Sequence, residues 1–181
     1  MASTYTPLGI ELMATGENAG TWGTKTNANL DLIEQVLGGF KTVSIAGGAG
    51  TTTLTVADGA LTGTAQARMI EFTGSISGSQ IVTIPNDVVN FYILKNGTSG
   101  AQTVQFKYAS GSGDTFTFAT GNKGTALLFA SGNPDTTNPK IIEIQTGGDV
   151  VDDTSPQLGG NLDTNDFNIA FDDAHGIIDE N

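Results

Sequence analysis

The stretch NFYILKNGTSGAQTVQFKY, residues 90–108, contains the pattern that decides the fold. In its second half Val104, Phe106 and Tyr108 alternate with polar residues, which places the three apolar side chains on one face of a strand. Its first half is a second run of strand length, and Asn96-Gly97 between the two is the favoured sequence of a two-residue hairpin turn. The stretch therefore predicts two β-strands joined as a hairpin.

The same pattern recurs through residues 41–148, where runs of five to seven residues rich in Val, Ile, Thr and Phe are separated by Gly, Ser and Asn clusters. The runs are KTVSIA, TTTLTVA, RMIEFTG, QIVTIP, NFYILKN, QTVQFKY, DTFTFA, TALLFA and KIIEIQ. Regular short strands with turn signals between them are typical of an all-β sandwich. We expect a mainly β fold with a β-sandwich-like domain of short antiparallel strands over residues 41–148.

One helical pattern precedes this domain, in residues 1–40. Thr26-Asn27 offers side-chain oxygens for an N-cap, and Gly38-Gly39 supplies a C-terminal stop. Apolar residues between them are spaced to form one stripe on a helix of about three turns. The stripe residues are Leu30, Ile33, Val36 and Leu37. Because so short a helix is marginal alone in water, the stripe is expected to dock on its own domain, a sister subunit or a partner.

Trp22, the only tryptophan, lies just before this helix in a predicted loop rich in Gly and Thr. Aromatic residues dominate the binding energy of protein interfaces. Two hypotheses stay open for Trp22, an anchor at an interface and packing within the local core.

Charge is distributed unevenly along the chain, whose net charge is −12. Residues 41–148 hold six acids and six bases, whereas residues 149–181 hold nine acids and no Lys or Arg. Nucleic-acid binders need clustered Lys and Arg for phosphate contacts, so nucleic acid is not an expected partner. A run of about 18 apolar residues, as membrane insertion would need, is missing from the sequence.

Motifs that would indicate catalysis, a cofactor or a metal are weak in this sequence. The single histidine, His175, lies in the acidic segment without a G-x-S-x-G serine, and GTWGTKT lacks the glycine spacing of a phosphate loop. Asp163 and Asp166 lack the Gly and Glu that a calcium-binding EF-hand loop requires. We therefore predict a protein that is not an enzyme and that needs no cofactor or metal.

Two alternatives for function remain open at this point. The first is a carbohydrate-binding adhesin with aromatic side chains as its platform, for which Tyr92, Tyr108 or Phe118 would have to be exposed. The second is a polysaccharide depolymerase, whose two catalytic carboxyl groups would lie among the scattered acids of the β-domain.

Three motifs carry a resemblance to a known family. IELMATGENAGTWGTKTNANLDLIEQVLGG, residues 10–39, resembles the N-terminal segment of tail-fibre and related virion proteins of tailed bacteriophages, particularly those of cyanobacteria and marine bacteria. FYILKNGTSGAQTVQFKYASGSGDTFTFATGNKGTALLFASG, residues 91–132, looks like the β-domain that follows in such proteins. DDTSPQLGGNLDTNDFNI, residues 152–169, is similar to an element that opens the fibre shaft. The loop 132–138 departs from the family pattern by its length.

This resemblance implies a structural virion protein, the tail-proximal part of a homotrimeric fibre. It implies a docking segment at 1–40, with Trp22, Leu30, Ile33, Val36 and Leu37 at the tail or trimer interface, and an extended acidic entry to the shaft at 149–181. The implied partners are sister copies and a nozzle, adaptor or baseplate protein of the tail. A host receptor would be bound by chain that follows residue 181.

Overall fold

The computed structural model describes residues 2–132 and 138–144. Within them the chain forms one helix, α1 (Trp22–Gly38), and eleven strands. The strands are β1 (Thr4–Tyr5), β2 (Glu11–Leu12), β3 (Phe40–Ser44), β4 (Gly50–Thr53), β5 (Met69–Thr73), β6 (Gln80–Ile84), β7 (Asn90–Asn96), β8 (Val104–Tyr108), β9 (Phe116–Phe118), β10 (Thr125–Ala130) and β11 (Ile141–Glu143). Strands β3 to β11 correspond to the nine predicted runs, and the mainly β class is confirmed. The short pair β1 and β2 was not predicted.

The strands β3 to β8 wind through two facing sheets in three coils. The five-stranded sheet has the order β11-β10-β7-β5-β3, and the four-stranded sheet has the order β4-β6-β8-β9. Consecutive strands from β3 to β8 lie in alternate sheets, and strands two apart pair in parallel. The pairs β3–β4, β5–β6 and β7–β8 therefore form three stacked coils.

The predicted Asn-Gly hairpin is wrong, because β7 and β8 belong to different sheets. The buried side chain of Asn96 accepts a hydrogen bond from the Thr98 hydroxyl and donates one to the carbonyl of Asn122. These bonds fix a corner that sends the chain across to the other sheet. Antiparallel pairing, expected for all the strands, occurs at β1–β2, β8–β9, β7–β10 and β10–β11, whereas the other four ladders are parallel.

Glycines allow the corners of neighbouring coils to approach closely. Gly47 forms a parallel bridge with Ile76, and Ser75 forms one with Ser99. A Cβ atom on Gly78 would overlap the backbone nitrogen of Ala49. Gly78 is therefore required where two corner backbones approach with no room for a side chain.

The core lies between the two sheets and contains the alternate residues of each strand. Phe106 of the four-stranded sheet contacts Phe72 and Tyr92 of the five-stranded sheet, with ring centroids 6.4 and 5.6 Å apart. Val104 and Tyr108 are buried beside Phe106, as their alternation predicted. Burial of a large apolar side chain contributes about 1.5–3 kcal/mol, so these rings hold the coils together.

The two ends of the coil stack differ. At one end β9, β10 and β11 turn back antiparallel, and the Ile141 amide donates to the Asp114 carbonyl between the sheets. At the other end β3 and β4 are the edge strands of their sheets. Residues Met1–Gln145 form one compact unit. The acidic segment 149–181 and its predicted shaft entry lie outside the described residues.

Candidate docking surfaces

The segment before the coils is a small module of β1, β2 and α1, in which hydrogen bonds and an ion pair link β2 to α1. The side-chain amide of Asn29 on α1 accepts a hydrogen bond from the Glu11 amide and donates one to the Glu11 carbonyl, both at 2.9 Å. This pairing imitates a strand ladder between β2 and the helix. It fixes α1 without requiring a large apolar contact.

A buried carboxylate reinforces the module. Glu11 is 5% exposed, and its Oε2 atom lies 3.0 Å from the ammonium of Lys25 on α1. Its Oε1 atom accepts a hydrogen bond from the side-chain amide of Asn18. The Lys25 ammonium is the main reason that the pKa of Glu11 is lowered, and Glu11 in turn raises the pKa of Lys25. The motif from Glu11 to Asn29 thus folds into one hydrogen-bonded network, which sequence analysis did not recognise.

The helix begins earlier than predicted. Trp22 is its first residue and not part of a loop, and Thr26-Asn27 lies inside the helix. Thr21 occupies the N-cap position and makes no side-chain capping bond. The predicted stop is confirmed, because α1 ends at Gly38 and the Gly39 amide donates to the Gln35 carbonyl.

An exposed apolar stripe runs along α1. Trp22 is 65% exposed, Leu30 58%, Ile33 40% and Leu37 66%. At 3.6 residues per turn these four positions fall within roughly 80° of the helix circumference. We call this set the helix stripe.

The remaining predicted site residue, Val36, is half-buried and lies beside the stripe. The residue that faces inward is Leu32, which is fully buried and was not singled out from the sequence. Leu32 lies outside the cluster that forms the main core between the sheets. The helix is therefore held in place by Leu32 and by the polar network around Glu11. The helix stripe takes no part in these contacts and stays exposed.

Acidic side chains lie on the side of α1 beyond Leu30. Asp31 and Glu34 line an open groove of about 390 Å³, together with Gln35, Phe40 and Leu61. The last turn of α1 contains no basic residue. The surface around the end of α1 therefore combines apolar side chains with negative charge.

A second apolar surface covers the outer side of the five-stranded sheet. Direct cross-strand partners form one row on it, and a second row lies beside the first on the same side. The rows are Phe40, Met69, Ile93 and Leu127, and then Phe91, Phe129 and Ile142. Phe40, Phe91 and Ile142 are 52%, 44% and 44% exposed, and the other four are half-buried. We call these seven residues the apolar sheet face.

The apolar sheet face contrasts with the outer side of the four-stranded sheet. Residues that point outward there are mostly Thr, Gln and Lys, with Ile81 as the one large apolar residue. Those residues are Thr51, Ile81, Gln105, Thr117, Thr53, Thr83 and Lys107. β8 thus follows the pattern of a strand with one solvated side, whereas β7 and β10 are apolar on both sides.

The aromatic platform expected for an adhesin is not exposed. Tyr92 and Phe118 are 0% and 1% exposed, and Tyr108 is 3% exposed. Both tyrosine hydroxyls donate to backbone carbonyls, Tyr92 to Ala65 and Tyr108 to Val88. Burial raises the pKa of Tyr108 to about 12 and that of Tyr92 further. These residues belong to the core, and an adhesin built on them is excluded.

Within residues 2–132 and 138–144, no cluster of three or more His, Asp or Glu side chains could hold a metal ion. Two carboxylates, Asp58 and Asp87, line one open cleft of about 490 Å³ that also contains Tyr5. His175, Asp163 and Asp166 lie outside the described residues. The helix in the described part of the chain is not long and apolar enough to span a bilayer.

Comparison with known proteins gives no relative for this chain: no family model, no curated protein and no solved structure matches it.

Proposed function

We propose that this chain is a structural protein of a bacteriophage virion, the tail-proximal part of a tail fibre. In this role the module of β1, β2 and α1 attaches the fibre to the tail, and the coils of the β-domain form a rigid spacer. Sister copies assemble into a homotrimer, and the fibre carries a distal region that recognises the host. The fibre part has no enzymatic activity of its own.

The exposed helix stripe is the observation that carries this proposal. Four large apolar side chains, Trp22, Leu30, Ile33 and Leu37, face water on a helix whose adjoining side is held by the hydrogen bonds between Asn29 and Glu11. Burying one such side chain contributes about 1.5–3 kcal/mol. A helix held rigidly with this face free is suited to insertion in an apolar groove of another protein.

The charge beside the helix stripe indicates what that groove is like. Around the helix, Glu34 lies about 40° beyond Leu30 and Asp31 about 100° beyond it, and no Lys or Arg occurs between residues 26 and 40. A tail protein with Lys or Arg at the rim of an apolar groove would complement this surface, since complementary charge steers and orients association. A sister helix would instead bring acidic residues together.

Assembly of particles with altered fibres tests the proposal. Leu30→Asp combined with Ile33→Asp places two charges in the helix stripe and is expected to abolish incorporation of the fibre into particles. Thr24→Asp combined with Asn27→Asp places the same charges on exposed positions of α1 outside the stripe, and is expected to permit incorporation. Incorporation is measured by detecting the chain in purified virions.

Normal incorporation of the stripe variant would contradict the proposal, provided that its circular dichroism spectrum matches that of the unaltered chain. Trp22→Ala provides a second measure, because it removes the largest side chain of the stripe without adding charge. It is expected to reduce incorporation.

The depolymerase alternative has one cleft in which it could be tested, that of Asp58 and Asp87. Glycoside hydrolysis requires two carboxyl groups on either side of the scissile bond. We expect the purified chain to leave host polysaccharide uncut. Cleavage that is lost in Asp58→Asn or Asp87→Asn would replace the structural proposal with an enzymatic one.

A further inference from the structure

The apolar sheet face takes up most of the outer side of the five-stranded sheet. Strands about 4.8 Å apart with a rise of about 3.3 Å per residue give five short strands a flat side of roughly 300 Å². The largest apolar patch on a typical monomer covers about 300–600 Å² and is often a functional site. Val89, which precedes β7 and is 36% exposed, extends the apolar surface to a hollow lined by Pro7, Leu8 and Ile10.

The charged groups around this face already have partners. The Lys95 ammonium lies 2.8 Å from the Glu71 carboxylate, in the row next to Ile93 and Met69. The guanidinium of Arg68 donates to the Phe91 carbonyl and lies 6.0 Å from the centre of the Phe91 ring. The face therefore offers aromatic and aliphatic groups with its nearby charges satisfied, a composition typical of the centre of a protein interface.

The charges near the two surfaces favour different binding partners for the apolar sheet face and for the helix stripe. On α1, Glu34 lies about 40° around the helix from Leu30, so an identical helix packed on the stripe would bring two such carboxylates together. On the sheet, Glu71 and Lys95 neutralise each other, so two identical faces meet without opposing a row of like charges. Most soluble oligomers are closed assemblies of identical chains around a symmetry axis, and a face whose acid and base are paired within each copy can turn toward such an axis.

We propose that the apolar sheet face is the surface on which a second copy of this chain docks, with the same face of each copy turned toward the common axis. The inference rests on the proposed homo-oligomeric fibre. It adds that contact between copies and docking on the tail use two different surfaces. Copies meet through the five-stranded sheet, and the helix stripe stays free for the tail protein. The aromatic pair Phe91 and Phe129, with ring centroids 4.9 Å apart, lies at the centre of this contact.

The oligomeric state of the purified full chain tests this surface without phage particles. Phe91→Asp combined with Ile142→Asp is expected to convert the oligomer to a monomer in sedimentation equilibrium, because both side chains are exposed in the single copy and covered in the assembly. Thr51→Asp combined with Thr117→Asp adds the same charge to the outer side of the other sheet and is expected to leave the oligomer intact. Both are exposed threonines on strands of the same domain.

A second measurement does not depend on a disruptive substitution. The chain contains no cysteine, so Phe91→Cys introduces a single thiol. Mild oxidation is expected to link copies of Phe91→Cys into dimers on a non-reducing gel, and to leave Thr51→Cys unlinked.

Three results would overturn the proposal. One is a chain that is monomeric at all concentrations, and another is an oligomer that persists in the Phe91→Asp, Ile142→Asp variant. The third is an oligomer that Leu30→Asp with Ile33→Asp dissociates while the sheet variant stays assembled, since copies would then meet through the helix stripe. Failure of particle incorporation with the oligomer intact would concern only the tail-docking role, so the two proposals fail separately.

Discussion

The carboxylate of Glu11 lies 3.0 Å from the ammonium of Lys25, and this ion pair joins strand β2 to helix α1 across thirteen intervening residues. Glu11 is buried, whereas the Lys25 side chain is partly exposed. Asn18 and Asn29 complete the network around Glu11. A module this small therefore depends on polar contacts for the placement of its helix.

The Glu11–Lys25 pair predicts how the module responds to pH. The pKa of Glu11 is lowered from 4.5, so its contribution to stability is complete above that value and is lost as pH falls through the lowered pKa. The pKa of Lys25 is raised from 10.5, so its contribution is complete below that value and is lost as pH rises through the raised pKa. The fluorescence anisotropy of Trp22, the only tryptophan, is expected to be constant between these limits and to fall in acid.

Glu11→Gln is the control for this titration. It removes the charge while keeping the shape of the side chain, so its anisotropy at neutral pH should already be lower and its acid transition should vanish. An acid transition of unchanged size in Glu11→Gln would show that other groups hold the helix.

The two leucines of α1 predict a sharp difference in stability. Leu32 is fully buried and Leu30 is 58% exposed. Leu32→Ala is expected to cost about 2–5 kcal/mol in the stability of the module, whereas Leu30→Ala should change it by less than about 0.5 kcal/mol. Because Leu32 lies outside the main core cluster, hydrogen exchange should speed up in α1 and not in β5 to β8. Equal effects of the two substitutions would contradict the orientation of α1.

The stacking of coil corners predicts opposite effects for two nearby glycines. A Cβ on Gly78 would overlap the Ala49 backbone, so Gly78→Ala is expected to destabilise the domain by about 1–3 kcal/mol. Gly48 has open space around its Cβ position, so Gly48→Ala is expected to stabilise it by about 0.4–1 kcal/mol. Denaturant unfolding measures both. Two neutral results would argue against close contact between the corners.

The acids beside the helix stripe predict salt-dependent docking. Asp31→Lys combined with Glu34→Lys should weaken binding of the chain to isolated tails, and raising the ionic strength should weaken binding of the unaltered chain. Thr24→Lys with Asn27→Lys adds two positive charges elsewhere on α1 and should have the smaller effect. Tighter binding of the Asp31→Lys, Glu34→Lys variant would mean that the groove on the tail is acidic.

The positions of the strands were predictable, and their connections were not. Alternation of apolar residues is a local property, so runs such as VQFKY identified nine strands correctly. Whether β7 pairs with β8 or crosses to the other sheet depends on Asn96, whose side chain is bonded to a carbonyl 26 residues away. An Asn-Gly sequence looks the same in a hairpin and in this corner. The parallel ladders could therefore not be predicted from local sequence.

The candidate surfaces were predictable only in part. Spacing identified Leu30, Ile33 and Leu37 as one stripe, and the structure places them together and exposed. Spacing could not tell that Leu32 is the buried leucine of α1, because burial depends on how the folded chain surrounds the helix. The apolar sheet face was missed because apolar residues on both sides of β7 read as a buried strand. The signal that could have found it is the contrast between FYILK and VQFKY, since only the second alternates with polar residues.

The coil arrangement makes the length of this domain adjustable in whole steps. Each coil touches only the coil before and after it, as in other repeat proteins. One more coil would thus add one strand spacing, about 4.8 Å, while the antiparallel strands β9 to β11 kept their own contacts. The length of the coil stack could therefore change in steps of one strand spacing without redesign of its antiparallel end.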